Sequence, residues 1–360
     1  MAPQRGGPAM AETTAPLALV TGATGMIGSH LVRRLLDEGW RVRALVRAAS
    51  DTALLRSWGL ELAQGDLADP PAALADRFRG VQYVFHCAAM VSDWAPLAEM
   101  MRVNVAGTRN LAEAALGGGS LKRFVYLSSM VVLGMQPQRD LDETAPMVHT
   151  GDNYNLTKIR AEETVQQFVR EKDLPAVILR PPYVYGPRDR QFLPRVLGSL
   201  QKGEFRFVGS GLQPFSLVYA GNLVEALYLA AVRPNVVGEV LLVTDGRVIT
   251  RRRMMEIICE ETGYPMPARH VPPWLVRAVC PVMEGLAWLS RSPEPPLVNR
   301  FRLKFMATPL TYRIEKARRL LGYEPQVDTE AGLRRTLAWF RENRPELMPN
   351  TGAAPLRPQD

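Results

Sequence analysis

Tyr154 and Lys158, in the pentapeptide "YNLTK", stand four residues apart in a segment with a helical pattern, so both project from one face of that helix. An ammonium beside a phenol favours phenolate. The spacing therefore predicts that Lys158 draws Tyr154 down from its ordinary pKa of about 10 towards a pH at which tyrosine exchanges a proton with an alcohol or carbonyl. Tyr-x-x-x-Lys is common by chance, but Ser129 adds weight to it. Ser129 ends the apolar run "RFVYLSS", where a hydroxyl can hydrogen-bond a substrate oxygen, and "RPPYVYGP" follows the next apolar run. The three features come in the order that a hydride-transfer site requires.

A second constellation lies near the start of the chain. In "TGATGMIGSHLVRRLL", Gly22, Gly25 and Gly28 follow the apolar run "LALV" and open a helical pattern. In a strand–turn–helix unit such glycines permit a tight turn, close approach of backbone to a diphosphate, and packing of the helix on the strand; the helix N-terminus adds free N–H groups and partial positive charge. The spacing departs from G-x-G-x-x-G, so the flanking strand and helix carry the reading. The adenosine end of a dinucleotide is read after the second strand. There "RVRALVRAAS" presents Arg47, with no carboxylate before Asp51, which favours the 2′-phosphate of NADP over the 2′-hydroxyl of NAD. The alternative is that Arg47 is an exposed loop cation and that Asp51 or water meets the ribose. Asp66, in "GDL", is placed to contact the adenine or to cap the helix that follows.

The elements that must position these groups show in the hydrophobic rhythm. "LALVTG", "RVRALV", "LELAQGD", "VQYVFHCAA", "KRFVYLSS" and "AVILRPP" alternate with helical patterns, the mark of βαβ units and a parallel sheet covered on both faces. After Pro187 the rhythm loosens: a helix around 192–202 and strands in "FRFVGS", "FSLVYAGN" and "VLLVTD" suggest that the chain leaves the sheet and returns. From Thr250 the pattern is helical, and prolines at 265, 267, 272, 273, 281, 293, 295 and 296 are expected to divide it into short helices. The expected division is a disordered 1–15, a nucleotide-binding domain over 16–187 to which 215–246 returns, a substrate lobe from 188–214 and 247–343, and a disordered tail at 344–360. The apolar stretch from Pro272 to Leu289 reads as a core-packed lid helix or as a lid that also touches a membrane.

Composition narrows the partners. The 360 residues are 47% hydrophobic with a net charge of +8, mostly from scattered arginines, and no basic run is interleaved with aromatics, which argues against nucleic acid. Cys87, Cys259 and Cys280 read as reduced core thiols, and His30, His86, His149 and His270 as isolated structural histidines without metal spacing. No metal is predicted. The N-terminus lacks an apolar h-region and no run of eighteen uncharged apolar residues occurs, so the chain is expected in the cytoplasm.

Taken in order, "TGATGMIG", "GDL", "HCAA", "NVAGT", "YLSS", "YNLTK" and "LRPPYVYGP" make residues 16 to 343 resemble the extended short-chain dehydrogenase/reductases, the NAD-dependent epimerase/dehydratase superfamily. The resemblance implies an α/β fold, a Rossmann-type doubly wound parallel sheet with a smaller, mainly helical C-terminal lobe. It puts the catalytic serine, tyrosine and lysine on Ser129, Tyr154 and Lys158, and the proton-relay asparagine on Asn104; Ser129 is preferred to Ser128 by its spacing from the glycine of "SMVVLG". Cofactor contacts fall on Gly22, Thr24, Gly25, Met26, Ile27, Gly28, Arg47, Asp66, Leu67, Ala88, Ala89, Tyr154 and Lys158, with Pro181, Tyr183 and Val184 lining the nicotinamide. NADP(H) is the expected cofactor and NAD(H) the alternative. The downstream segments "PFSLVYAGNLVEALYLAA", "VPPWLVRAVCPVMEGLAWL" and "PPLVNRFRLKFM" resemble the 3β-hydroxysteroid dehydrogenase and sterol 4α-carboxylate 3-dehydrogenase branch. That implies a hydrophobic substrate, a sterol or a long-chain 2-alkyl-3-oxoacid, and a homodimer. A substrate carboxylate would find Arg300 or Arg302. A nucleotide-sugar epimerase or dehydratase is the competing enzyme and a non-catalytic NADP-binding sensor the competing class.

Overall fold

The structure, a computed structural model, describes residues 15–134, 137–290 and 299–349. Its strands in chain order are β1 (Leu17–Thr21), β2 (Arg41–Val46), β3 (Glu61–Gln64), β4 (Tyr83–His86), β5 (Arg123–Leu127), β6 (Gln138–Leu141), β7 (Ala176–Arg180), β8 (Tyr183–Tyr185), β9 (Phe207–Val208), β10 (Pro214–Tyr219), β11 (Val240–Leu242), β12 (Val248–Thr250), β13 (His270–Val271) and β14 (Leu310–Tyr312). The helices are α1 (Met26–Asp37), α2 (Ala53–Ser57), α3 (Pro71–Leu74), α4 (Leu97–Met100), α5 (Gly107–Gly117), α6 (Asn153–Lys172), α7 (Phe192–Gln201), α8 (Ala220–Val232), α9 (Arg251–Thr262), α10 (Pro273–Leu289), α11 (Arg300–Ala307), α12 (Glu315–Leu321) and α13 (Thr329–Asn343).

Seven strands pair in parallel in the order β11-β7-β5-β4-β1-β2-β3. β1 and β7 are buried along their whole length, as strands covered on both faces must be. α1, α8 and α12 cover one face around Leu31, Leu227 and Leu321, while α3, α5 and α6 cover the other around Leu74, Leu111 and Val165. This is the doubly wound parallel sheet expected. In such folds ligands bind beyond the carboxyl ends of the strands. The register there sets Thr21 opposite His86, and His86 opposite Tyr126, in one row across β1, β4 and β5.

A second sheet, β12-β10-β14-β6 with β8 also on β10, lies in the part of the chain expected to take substrate. α7, α9 and α13 pack on it through Leu197, Ile258 and Leu337. The segment 215–246 was expected to return whole to the main sheet, but β10 stays in the second one. β11 holds the edge beside β7, so of this segment only α8 and β11 rejoin the main sheet.

Three further expectations need correction. Residues 344–349 are not a structureless tail: Met348 is buried, Tyr264 donates to the Leu347 carbonyl and Gln201 to that of Glu346. Residues 1–14 and 350–360, where disorder was expected, lie outside the described residues. The helix α10 runs unbroken through Pro281, which removes one backbone bond without ending the helix. α10 is also not core-packed: Val276 and Cys280 are buried, whereas Trp274, Val282, Leu286, Trp288 and Leu289 are each more than half exposed. Among the described residues no helix is long and apolar enough to cross a membrane.

Candidate active site

The glycine turn joins β1 to α1 and fits a dinucleotide diphosphate. Gly22 has φ +71°, and a Cβ there would lie 2.9 Å from the Ala88 nitrogen; a Cβ on Gly28 would lie 2.1 Å from the Gly22 carbonyl oxygen. Neither position admits a side chain. No side chain caps the start of α1 at Gly25, and its first turn carries no acid, which suits the N–H groups and positive dipole end of this helix to an anionic ligand.

At the adenosine end, Arg47 stands exposed just past β2. Asp51 is engaged in the loop, accepting from the Ala53 N–H. Asp66 caps a turn instead of a helix: its Oδ1 accepts from Ala68, while Leu67 is buried under α5, where a Cβ on Gly107 would meet it at 2.8 Å. The Ala88 N–H donates to the Thr21 hydroxyl, and Ala89 is the next residue in the chain.

Ser129, two residues past β5, is in extended conformation, and its Oγ accepts from Val131 N. It is hydrogen-bonded with the Tyr154 hydroxyl. Tyr154 and Lys158 share one face of α6, whose N-terminus is capped by Asp152. The ammonium, however, turns to the end of β5: Lys158 Nζ donates to Tyr126 Oη at 3.0 Å and to the Leu127 carbonyl at 2.8 Å. The expected lowering of the Tyr154 pKa is therefore reversed in the free protein. Burial pushes the phenol up to about 12, against its bond with Ser129. Burial also pulls Lys158 down to about 8, opposed by the nearby Glu162 carboxylate. Tyr154 is held protonated.

Asn104 lies in a π-helical turn, residues 101–106, between α4 and α5. Its amide holds both backbone groups of Met90 and donates to Thr157, beside Lys158 on α6. The Pro181 carbonyl accepts from Met130 N, and β8 carries Tyr183 and Val184 against β10. Tyr183 packs at a tilt against Phe192 (4.7 Å between ring centroids) and Phe305 (5.2 Å), and Phe305 packs in the same cluster as Tyr154. These rings form an apolar wall beside the catalytic candidates.

The carboxylate-binding expectation changes. Arg302 is committed to Asp93, at 2.5 Å, with Asn299 on the same carboxylate. The side chain of Arg300 lies outside the described residues. Arg195 on α7 is the cation whose charge acts on both Asp93 and Tyr183.

The model of the NAD dependent epimerase/dehydratase family matches residues 18–243, the span of the glycine turn, Ser129, Tyr154, Lys158 and the main sheet. The chain belongs to that family. Within it, the chain is 33% identical over 331 residues to the 2-alkyl-3-oxoalkanoate reductase of Stenotrophomonas maltophilia (strain K279a), covering 89% of this chain and 98% of the relative. It is also 33% identical over 332 residues to sterol demethylase protein B of Methylococcus capsulatus (strain ATCC 33009 / NCIMB 11132 / Bath), covering 90% and 98%. The solved structure of MoeE5 in complex with UDP-glucose and NAD superposes with TM-score 0.72 at 26% identity, covering 90% of this chain and 98% of that one. This epimerase/dehydratase member is an NAD(P)-dependent oxidoreductase acting on CH–OH groups.

Several groups of the site escaped the sequence reading. Tyr126, Glu162 and Arg180 form its buried floor: Ser128 donates to Glu162 at 2.5 Å, and Arg180 donates two N–H groups to the same carboxylate. The signal was present, since Glu162 lies one further turn along the face that carries Tyr154 and Lys158, and Tyr126 shares a face of β5 with Phe124. His86, read as isolated, bonds Thr21 and Thr108 through its two ring nitrogens.

Proposed function

We propose that the protein interconverts a secondary alcohol and a ketone on a large apolar molecule that carries a carboxylate one carbon from the reacting centre, with NADP(H) as the preferred cofactor. The first reading of that molecule is a 3β-hydroxysterol bearing a 4α-carboxylate, whose oxidation yields a β-keto acid prone to lose carbon dioxide. The observation that carries it is the convergence of Ser129, Tyr154 and Lys158 beside the aromatic wall of Tyr183, Phe192 and Phe305, with the Arg195 charge within reach.

When bound, the nicotinamide supplies or accepts the hydride. The glycine turn and the start of α1 would hold its diphosphate, Lys158 its ribose, and Pro181 to Val184 its ring. Ser129 orients the substrate oxygen, and Tyr154 exchanges the proton with it. A protonated phenol is the form that gives a proton to a ketone oxygen, so the resting site is poised for reduction. Arg195 would receive the carboxylate. Arg47, exposed past β2 while Asp51 is occupied, supports NADP, because a guanidinium pairs bidentately with a phosphate.

The second reading is an acyclic 2-alkyl-3-oxoalkanoate, favoured by the identity to the Stenotrophomonas relative and by the protonated Tyr154. Both readings involve a β-keto acid group, as product in the first and as substrate in the second. Assaying 4α-carboxysterols and 2-alkyl-3-oxoacids with NADP(H) and NAD(H) separates them: turnover of the acyclic acid alone removes the sterol reading, and turnover of neither removes the proposal. The exposed apolar half of α10 supports contact of this helix with lipid, from which an apolar substrate would be drawn. Flotation with phosphatidylcholine vesicles, compared with Trp288→Glu, tests that contact. A homodimer is proposed on the resemblance alone, and sedimentation measures it.

A further inference from the structure

Beneath the site runs a buried chain of hydrogen bonds in which the proton positions can be deduced by counting. Lys158 Nζ donates to Tyr126 Oη at 3.0 Å, and Tyr126 is bonded in turn to the Thr108 hydroxyl. Thr108 Oγ1 lies 2.6 Å from the Asn104 carbonyl oxygen and 2.9 Å from His86 Nε2. His86 Nδ1 lies 2.9 Å from Thr21 Oγ1, which accepts from the Ala88 N–H at 3.1 Å. Thr21, His86, Thr108, Tyr126 and Lys158 are each at most 2% exposed.

A hydroxyl has one proton and two lone pairs. A carbonyl oxygen only accepts, so the Thr108 proton is committed to Asn104. Both lone pairs of Thr108 are then left for Tyr126 and His86, and each of these must donate. Tyr126, having given its proton to Thr108, presents a lone pair to the Lys158 ammonium. His86 must carry its proton on Nε2, leaving Nδ1 bare to accept from Thr21; Thr21, its own proton spent, accepts from Ala88. The hydroxyl and imidazole protons of the chain then each have an acceptor. Burial keeps the imidazole neutral, holding it down to about 3. The sheet register supplies the geometry, because Thr21, His86 and Tyr126 share one row across β1, β4 and β5, and α5 lowers Thr108 onto it.

We infer that the Thr108 hydroxyl is a positioning hub that orients two halves of the site at once. Through Tyr126 it aims a lone pair at Lys158; through the Nε2–H tautomer of His86 it ties Thr21, the residue before Gly22, to Ala88, whose backbone lies against that glycine. The Lys158 half rests on the function proposed above, and the His86 half does not.

The test reads the tautomer directly. In the whole protein with 15N-labelled histidine at neutral pH, His86 Nδ1 is expected at the shift of an unprotonated ring nitrogen and Nε2 at that of an N–H. Thr108→Val removes the acceptor of Nε2–H. It is expected to disturb this pattern and to weaken NADPH binding, followed by fluorescence, and any ketone turnover by about ten- to a hundredfold, the scale of a buried donor left unsatisfied. Thr108→Ser, which keeps the hydroxyl, should restore all three. If the valine variant does not fold, Tyr126→Phe serves: Asn104 still takes the Thr108 proton, so the His86 pattern should stay as in the wild type. A wild-type His86 protonated on Nδ1, a valine variant with unchanged His86 signals and NADPH affinity, or a phenylalanine variant with a switched tautomer would each overturn the inference. The NMR and NADPH readouts stand even if no offered ketone is turned over.

Discussion

Ser128 and Ser129, consecutive at the end of β5, serve different partners: Ser128 donates to the buried Glu162 carboxylate at 2.5 Å, and Ser129 is hydrogen-bonded with the Tyr154 phenol. The two alanine variants should therefore part company. Ser129→Ala is expected to lower turnover by about two orders of magnitude, as when one oriented donor to a reacting oxygen is lost. Ser128→Ala is expected to leave turnover near wild type and to cost about 1–3 kcal/mol of stability, because Glu162 loses a partner where no water reaches it. Steady-state kinetics and thermal unfolding on the pair check both statements.

Tyr154→Phe should bind NADPH nearly as the wild type does while turnover falls by about two to four orders of magnitude, the range of positioned acid–base catalysis. The raised phenol adds a directional signature. Oxidation needs phenolate and should speed up as the pH climbs towards about 12, whereas reduction uses the phenol already present and should show no such rise. Parallel pH profiles for the two directions of the free enzyme's kcat/KM would contradict this.

Lys158 makes a stability prediction whose sign follows from proton counting. Its ammonium titrates at about 8 in the folded chain and near its ordinary value, about 10.4, when unfolded. Between those values the unfolded chain binds more protons, so this residue makes stability rise with pH across that window. Lys158→Met removes the effect. The Tm of the wild type minus that of the variant should thus grow between pH 8 and pH 10, and a flat or falling difference would show that the ammonium is not held down.

Replacing Arg47 with alanine should weaken NADPH binding roughly tenfold or more while leaving NADH nearly untouched, the scale of one charge-assisted contact to a phosphate. The gap should narrow as salt is raised. Equal losses for the two cofactors would assign the discrimination to another residue.

The floor of the site predicts its own failure mode. Glu162 is fully buried, with Arg180 and Ser128 donating to it. Glu162→Gln leaves the Arg180 guanidinium as a buried charge without its counter-ion, which costs about 3–5 kcal/mol. Chemical denaturation measures it, and a loss below about 1 kcal/mol would mean that water or a shifted side chain takes the carboxylate's place.

The legible part of the molecule was its local patterning. Runs such as "LALVTG" and "KRFVYLSS" were readable as buried parallel strands because both faces are covered, and Gly22 and Gly28 were readable because backbone packs against them. The spacing of Tyr154 and Lys158 put them on one face of α6, but it could not say where a four-carbon stem turns. Lys158 reaches Tyr126 on β5, a contact set by sheet register and invisible in the helix alone. Arg302 failed as the substrate's cation for a similar reason, since its partner Asp93 lies 209 positions away in sequence. The buried look given to α10 came from composition, which reports that a helix is apolar but not what lies against it.

The way the second sheet closes has a kinetic cost. β14 pairs with β6 across more than 170 residues, Leu310 against Gln138, and touches β10 at Phe215. Closing such long loops must precede the contacts that reward it, so this half should fold slowly compared with the local βαβ units. On a ribosome the nucleotide-binding strands β1 to β5 can pair as they emerge, while β6 and the Phe215 end of β10 wait with open edges until residue 312 has been made. Open edges recruit other strands. A chain halted before Leu310 would therefore carry a formed main sheet attached to an aggregation-prone lobe.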